Sequence, residues 1–378
     1  MRVLVAASLA SSLVNFRGEL LRELLAAGVD VHVTAPDIDV DVISKSALES
    51  WGVVTHAIDL QRTGMNPWAD LRTLFRYVRL MKSINPDVFL GYTIKPVVFG
   101  TLAARLCEVE HRAALITGLG YGFQGGAQRS VLRLVIRSLY SLSLRFASVV
   151  IFQNPDDKRT FESLGLVRKG VRAEIVNGSG VDLDRFAPRP MPEGAIRFLM
   201  IGRLLGEKGV REYVDAARIV REEFPFVRFV LVGPRDSNPN AVSKAELDAW
   251  IADGIVDYRG ELRDVRVVLA ECSVYVLPSY REGTPRSVLE ALATGRPVIT
   301  TDAPGCRETV DDGVNGFLVP VGSSQALAEA MRRFLRQPEL LQQMAAASLN
   351  KARGKYDVRL VNRKMLQILC VHGGSPRV

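Results

Sequence analysis

The stretch from Ser273 to Thr301 leaves few folds open. Val274–Leu277 is a short apolar run stopped by Pro278, the pattern of a buried strand. Residues 280–284 are polar and hold Gly283, so the chain turns there. Pro285 suits a first helical position, residues 287–293 carry a helical pattern, and Gly295 ends it. Val298–Thr301 is a second apolar run. Strand, turn, helix and strand in this order make a unit of a parallel sheet. Such sheets bind ligands outside the carboxyl ends of their strands. Glu282 stands in the turn and Glu290 on the second turn of the helix.

The same alternation runs from end to end. Strands are expected at residues 3–6, 29–35, 87–91, 112–117, 149–153 and 172–176, then at 196–201, 229–233, 255–259, 274–277, 298–301 and 316–320, with helical patterns between. This is a doubly wound α/β chain, and 378 residues suit two such domains. The proline-rich residues 187–192 read as the linker, which sets domains at 1–187 and 193–355. Residues 8–18 read as a loop running into a helix at 16–27. The opening residues mimic a signal peptide, but a first strand, loop and helix describe them better. No apolar run is long enough to span a bilayer.

Residues 61–147 hold twelve Lys or Arg against four Asp or Glu, and this local excess equals the net charge of +8 of the whole chain. Two basic amphipathic helices account for much of it. Residues 68–84 place Arg72, Arg76, Arg79 and Lys82 among Trp68, Leu71, Leu74, Phe75, Val78 and Met81. Residues 128–146 place Arg129, Arg133, Arg137 and Arg145 among leucines, valines and Ile136. Each alone is compatible with a core helix carrying a solvated basic face. Together, with no nucleic-acid motif beside them, they point to an anionic membrane surface. Four scattered cysteines suit a reducing compartment and frame neither a disulfide nor a zinc site. Asp37-Ile38-Asp39-Val40-Asp41 and Asp182-Leu183-Asp184 look like metal-binding DxD words, but both fall in loops and are taken as loop aspartates.

Arg203 and Lys208 flank a glycine-containing turn after strand 196–201. A guanidinium and an ammonium at a strand end can neutralise a diphosphate, and such donors lower the barrier as leaving-group charge grows. Carboxylates beside bound hydroxyls accept hydrogen bonds from them, so Glu282 and Glu290 near such a site suit a sugar nucleotide. The competing reading is solvated helix-end charges.

Glu282 and Glu290, with seven residues between them, stand in line with Gly180-Val181-Asp182, Gly202-Arg203-Leu204, Lys208-Gly209, Gly305-Cys306-Arg307-Glu308 and Gly313-Val314-Asn315-Gly316-Phe317-Leu318-Val319. Taken in order over nearly the whole chain, these words resemble glycosyltransferase family 4. The resemblance implies a GT-B fold, two Rossmann-like domains facing across a cleft, with the tail 356–378 crossing back onto the first. It implies retaining transfer from a nucleotide sugar, with no metal and no cofactor. In the second domain, Arg203 and Lys208 with Gly202 would hold the diphosphate, Glu290 the ribose hydroxyls and Glu282 the hexose. The backbone of Gly283, Thr284, Pro285 and Arg286 would meet sugar or phosphate. Arg235, Tyr258 and Arg259, at neighbouring strand ends, are further donor-site candidates. The catalytic assignment is Glu282, Arg203 and Lys208.

The first domain would take the acceptor. Its loop 8–18 lacks the glycine-rich phosphate cradle common in the family, which turns Asn15 and Arg17 toward the acceptor, with helix capping and a surface charge as the alternative. Thr93 and Lys95 follow strand 87–91, and Lys95 is either a phosphate partner or a surface lysine. Thr117 and Gly118 stand where many relatives place a histidine, and glycines continue to Gly126. Within the family, residues 92–96, 117–120 and 281–287 are similar to bacterial enzymes that extend undecaprenyl-diphosphate-linked sugars, including N-acetylgalactosaminyl transferases. This implies a UDP-activated donor and a lipid-linked acceptor at the cytoplasmic face of the plasma membrane. A sugar-nucleotide epimerase on the same fold and a non-catalytic nucleotide-sugar binder are the alternatives. A dinucleotide oxidoreductase is disfavoured because no G-x-G-x-x-G follows a strand.

Overall fold

The computed structural model describes residues 1–60, 66–119, 130–236, 238 and 240–371, with the backbone alone at 130–132. The chain divides into two compact units, Met1–Ser179 with Leu360–Val378, and Gly180–Arg359.

In the first unit the order is β1 (Arg2–Ala6), α1 (Ala10–Ala26), β2 (Asp30–Ala35), α2 (Val42–Ser50), β3 (Val54–Ala57), α3 (Pro67–Ile84), β4 (Val88–Tyr92), α4 (Thr101–Leu106, continuing the Pro96–Gly100 turn), β5 (His111–Ile116), α5 (Ser130–Leu144), β6 (Val149–Phe152), α6 (Pro155–Ser163) and β7 (Arg172–Ile175). Its parallel sheet runs β3-β2-β1-β4-β5-β6-β7. Both faces are covered. Along β1, Val3 and Val5 enter one apolar cluster and Leu4 and Ala6 another. This is why the strands read as continuous apolar runs rather than alternating ones. Helices α3, α4 and α5 all pack on the face that Leu4 and Phe89 share, through Tyr77, Met81, Ala103, Ala104, Ile136 and Tyr140. The returning tail buries Met365, Ile368 and Leu369 on the opposite face.

The second unit runs β8 (Arg197–Ile201), α7 (Val210–Glu223), β9 (Arg228–Val232), α8 (Lys244–Ala252), β10 (Asp257–Tyr258), α9 (Arg266–Glu271), β11 (Val274–Leu277), α10 (Arg286–Ala293), β12 (Val298–Thr301), β13 (Gly316–Val319), α11 (Ser324–Arg336) and α12 (Glu339–Lys351). α13 (Val358–Ile368) begins in this unit and ends in the first. The sheet order is β10-β9-β8-β11-β12-β13, all parallel.

Three expectations are corrected. α1 starts at Ala10, not at residue 16, so Asn15 and Arg17 are helical and not in a loop. Its N-cap, Leu9, has no side-chain acceptor; the Ala10 N–H donates instead to Asp37 at 2.8 Å, a cap from another loop that local sequence cannot announce. The second correction is the linker. Residues 180–192 belong to the second unit: Val181 and Val358 exchange backbone bonds with Tyr356 and Val181, Phe186 enters the core, and the Arg189 N–H donates to Thr294. The fully buried Arg296 donates to the Pro190, Leu269 and Ala270 carbonyls, which docks the proline-rich run. Finally, α2 and β3 form where no element was expected, nucleated by the Asp41 cap on Ser44.

Candidate active site

In each sheet the strand order reverses direction at one point, between β8 and β11 in the second unit and between β1 and β4 in the first. Ligands of doubly wound sheets bind outside the carboxyl ends of strands at such points.

At the β8/β11 point, three loops are pressed together by glycines. Gly209 has φ +74°, and a Cβ there would lie 2.2 Å from the Pro278 carbonyl. The β8–α7 turn therefore rests on the end of β11. The Tyr280 N–H donates to the Glu207 carbonyl at 2.9 Å, and its hydroxyl to Glu212 at 2.6 Å. That hydrogen bond, with burial, pushes the Tyr280 phenol up to about 12. The loop after β12 lies against the same place. The Glu282 N–H donates to the Pro304 carbonyl at 2.9 Å, and a Cβ on Gly305, whose φ is +79°, would lie 2.2 Å from the Glu282 carbonyl. Beside them Gly233 approaches Gly202 so closely that a Cβ would meet its carbonyl at 1.9 Å.

On this frame Lys208 Nζ sits 2.5 Å from Glu282 Oε1, with 21% and 12% of the two side chains exposed. Arg203 follows β8 and pairs with Asp236, beyond β9, at 2.9 Å. Arg286 opens α10 and holds Glu290, one turn on, at 2.9 Å. Burial raises the Glu290 carboxyl, and Arg286 opposes the rise. Pro285 caps α10 without a side-chain acceptor. Gly283 and Thr284 occupy the intervening turn, and Tyr275 ties α10 to β8 through Ser287 and the Ile201 carbonyl. Three cations and three carboxylates thus gather at these strand ends, able to match a diphosphate and several hydroxyls.

The other donor-site candidates divide. Arg235 lies exposed past β9. The Tyr258 hydroxyl donates to the Gly233 carbonyl, bracing the sheet end, and Arg259 pairs with Asp257 on an exposed surface. Asp236 is the residue missed. Its signal was its place after β9, opposite an arginine after β8.

At the β1/β4 point of the first unit, Ser8 and Thr93 join hydroxyls at 2.5 Å, and Ser12 meets the Tyr92 hydroxyl at 2.9 Å. Arg17, buried, lies over the Tyr92 ring at 5.3 Å. Thr93 holds φ +69°, a left-handed conformation costly for a β-branched residue and frequent at functional sites. Ser8, Ser12 and Tyr92 were missed; only the sheet order brings them to Arg17 and Thr93. Asn15 is exposed on α1. Lys95 is no surface lysine: it pairs with Asp70 of α3 at 2.6 Å, and both side chains are largely buried. Thr117 and Gly118 follow β5, half-buried. Residues 120–129 of the glycine-rich loop, Arg129 among them, lie outside the described residues.

Each DxD-like aspartate has a structural partner. Asp37 caps α1, Asp39 pairs with Lys45 at 2.8 Å and Asp41 caps α2. Asp182 accepts from the Asp184 and Arg185 N–H groups, and Asp184 pairs with Arg359.

Residues 2–154 match the family model described as glycosyl transferase 4-like, and residues 195–337 the one described as glycosyl transferases group 1. Over 97% of the chain, it is 29% identical to the N,N'-diacetylbacillosaminyl-diphospho-undecaprenol alpha-1,3-N-acetylgalactosaminyltransferase of Campylobacter jejuni, covering 98% of that protein. It is 26% identical, over 70% of both chains, to an Escherichia coli UDP-Gal:alpha-D-GlcNAc-diphosphoundecaprenol alpha-1,3-galactosyltransferase. The crystal structure of HepE from Anabaena in complex with UDP superposes with a TM-score of 0.78 at 20% identity, over 98% of this chain and 100% of that one. The fold is therefore GT-B, and the chain is a glycosyltransferase with a glycosyl transferase 4-like first half and a glycosyl transferases group 1 second half.

Proposed function

We propose that the chain transfers a hexose or N-acetylhexosamine, with retention, from a UDP-sugar to a sugar carried on a polyprenyl diphosphate. The observation that carries this is the Lys208–Glu282 contact, with Arg203 nearby, at the β8/β11 reversal point. Arg203 and Lys208 take the diphosphate, Glu290 the ribose and Glu282 the hexose. An acceptor hydroxyl attacks the anomeric carbon from the leaving-group face. The bond from that carbon to the β-phosphate oxygen breaks, and the departing phosphate takes the hydroxyl proton. The lysine and arginine neutralise the charge that grows on the leaving group. No metal enters these steps. The related enzymes acting on undecaprenyl-diphosphate-linked sugars support the acceptor class. In the first unit, Arg17 and Thr93 at the β1/β4 point are the acceptor contacts, with Asn15, Thr117 and Gly118 at its margin.

The assay is incubation with a panel of UDP-sugars, with and without a polyprenyl-diphosphate-linked sugar. The expected product is a longer lipid-linked glycan, formed only with acceptor. Sugar-nucleotide interconversion without acceptor would replace this reading with an epimerase.

The acceptor is membrane-borne in this reading, and the enzyme works as a peripheral protein on the cytoplasmic face. No helix among the described residues is long and apolar enough to cross a membrane. The outer surface of α3 exposes Trp68, Leu71 and Phe75 beside Arg72, Arg76, Arg79 and Lys82. α5, on the same side of the sheet, exposes Leu134 and Leu142 beside Arg145. Exposed aromatics ringed by cations suit an anionic lipid interface. Recovery on anionic vesicles should exceed recovery on neutral ones, fall with salt, and fall again in Trp68→Ser. Equal recovery on both vesicle types would remove the membrane from the reading.

A further inference from the structure

The turn between β2 and α2, on the carboxyl edge of the first sheet, engages its acids and leaves its apolar side chains outside. Asp37 accepts from the Ala10 N–H at 2.8 Å, and Asp39 pairs with Lys45 at 2.8 Å. Asp41 accepts from the Ser44 N–H at 3.0 Å and from its hydroxyl at 2.6 Å. The Val40 and Asp41 N–H groups both donate to the Asp37 carbonyl, and Ile38 is fully buried in the apolar cluster beneath. On this tightly held turn Val40, Val42 and Ile43 are 84%, 69% and 73% exposed. Single apolar side chains are common on protein surfaces, but three within four residues on one fixed turn make a patch.

We infer that Val40, Val42 and Ile43 form a lip that enters the surface of a lipid bilayer, with the acceptor edge of the first unit turned toward the lipid. This rests on the membrane-borne acceptor of the proposed function and adds to it an orientation. Two observations name the bilayer as the occupant. First, the lip is continuous with the acceptor crevice. β2 lies beside β1 in the sheet, and the Asp37 that shapes the turn also caps α1, the helix that carries Ser12 and Arg17. A sugar tied through a diphosphate to a polyprenyl chain stays close to the headgroups, so the crevice that takes it must lie against the lipid surface. Second, the same edge carries other exposed apolar side chains. Asp70, in the first turn of α3, pairs at 2.6 Å with Lys95, just beyond β4, which fixes that turn at the carboxyl edge. Trp68 and Leu71 flank Asp70 and are exposed. Aliphatic side chains have no charge to desolvate, and the aspartates behind them are already held by N–H groups, a hydroxyl or an ammonium. The lip therefore acts through apolar burial, which salt does not screen, whereas the cations of α3 act through charge, which it does.

The test is sedimentation of the full-length protein with vesicles of phosphatidylcholine and phosphatidylglycerol, at low and at high salt, with melting curves confirming that each variant folds. The proteins compared are wild type, the double variant Val40→Ser with Ile43→Ser, and Phe226→Ser. Phe226, 84% exposed ahead of β9 in the second unit, is the control for loss of an exposed apolar side chain elsewhere. The double variant should lower vesicle partition about tenfold at both salt concentrations, and Phe226→Ser should leave it unchanged. Transfer to a polyprenyl-diphosphate-linked sugar embedded in the vesicles should fall with partition, while transfer to the same acceptor dispersed in detergent stays at the wild-type rate. Wild-type partition in the double variant would overturn the inference, as would an equal loss in Phe226→Ser or a wild-type protein that does not sediment with vesicles. A loss in detergent as large as that on vesicles would overturn it too, assigning these side chains to the polyprenyl chain and not to the bilayer. Absence of transfer by the wild type in detergent would remove the transferase reading by itself, since vesicle partition decides the lip independently.

Discussion

Lys208→Ala is expected to lower kcat/KM by about 10²- to 10³-fold, the usual loss when one charge-stabilising donor is taken from a transition state. Glu282→Ala should cause a loss of similar size. Both should keep the fold. The pair lies at a strand end, and neither residue belongs to the apolar cluster of the second unit. Breaking this largely buried pair is expected to cost about 3 kcal/mol of stability. The two variants should differ in kind. Losing the lysine strikes both donor binding and leaving-group stabilisation. Losing the carboxylate strikes kcat, because its contact with the hexose is lost along with its hold on the lysine. Initial rates across UDP-sugar concentrations, with a melting curve for each variant, check both statements. Wild-type turnover in the two purified variants would refute the assignment of the site.

Gly305→Ala is expected to lower turnover by about 10²-fold although residue 305 carries no chemistry, because small displacements of positioned groups cost that much. Its φ of +79° is one that L residues reach at a cost of about 1–2 kcal/mol. In addition, its Cβ would stand 2.2 Å from the Glu282 carbonyl and 2.5 Å from that of Gly283, and both obstacles are backbone. The loop that aims Glu282 must shift. Gly313→Ala is the control. Its φ is +74°, yet nothing lies within 4 Å of its added methyl, so it should lose some stability and little turnover. If the two alanine variants turn over alike, steric support of Glu282 by residue 305 is not what shapes the site.

The glycine words of this chain thus have a physical origin that the sequence hints at without explaining. Gly209 and Gly305 read as motif letters and Gly233 as the end of a strand; in space each is a place where two backbones touch. The strands were legible because both faces of each sheet are buried, which makes the runs apolar throughout. α10 was legible because Pro285 and Gly295 bracket it locally. The start of α1 was not, since its cap comes from Asp37 across the sheet edge. Nor was the docking of residues 187–192, whose composition is that of a linker but whose carbonyls are held by a buried arginine more than a hundred residues away.

By itself, then, the order of residues set Arg203, Lys208, Glu282 and Glu290 beside strand and helix ends, and left Asp236 unannounced. Local periodicity and turn chemistry determine that much, because they act between near neighbours. Pairing was decided only in three dimensions. Lys208 meets Glu282 across 74 positions, Lys95 meets Asp70 across 25, and Arg203 meets Asp236 across 33. Those distances are set by which strands lie side by side, and strand order is a property of the packed sheet that no stretch of chain contains.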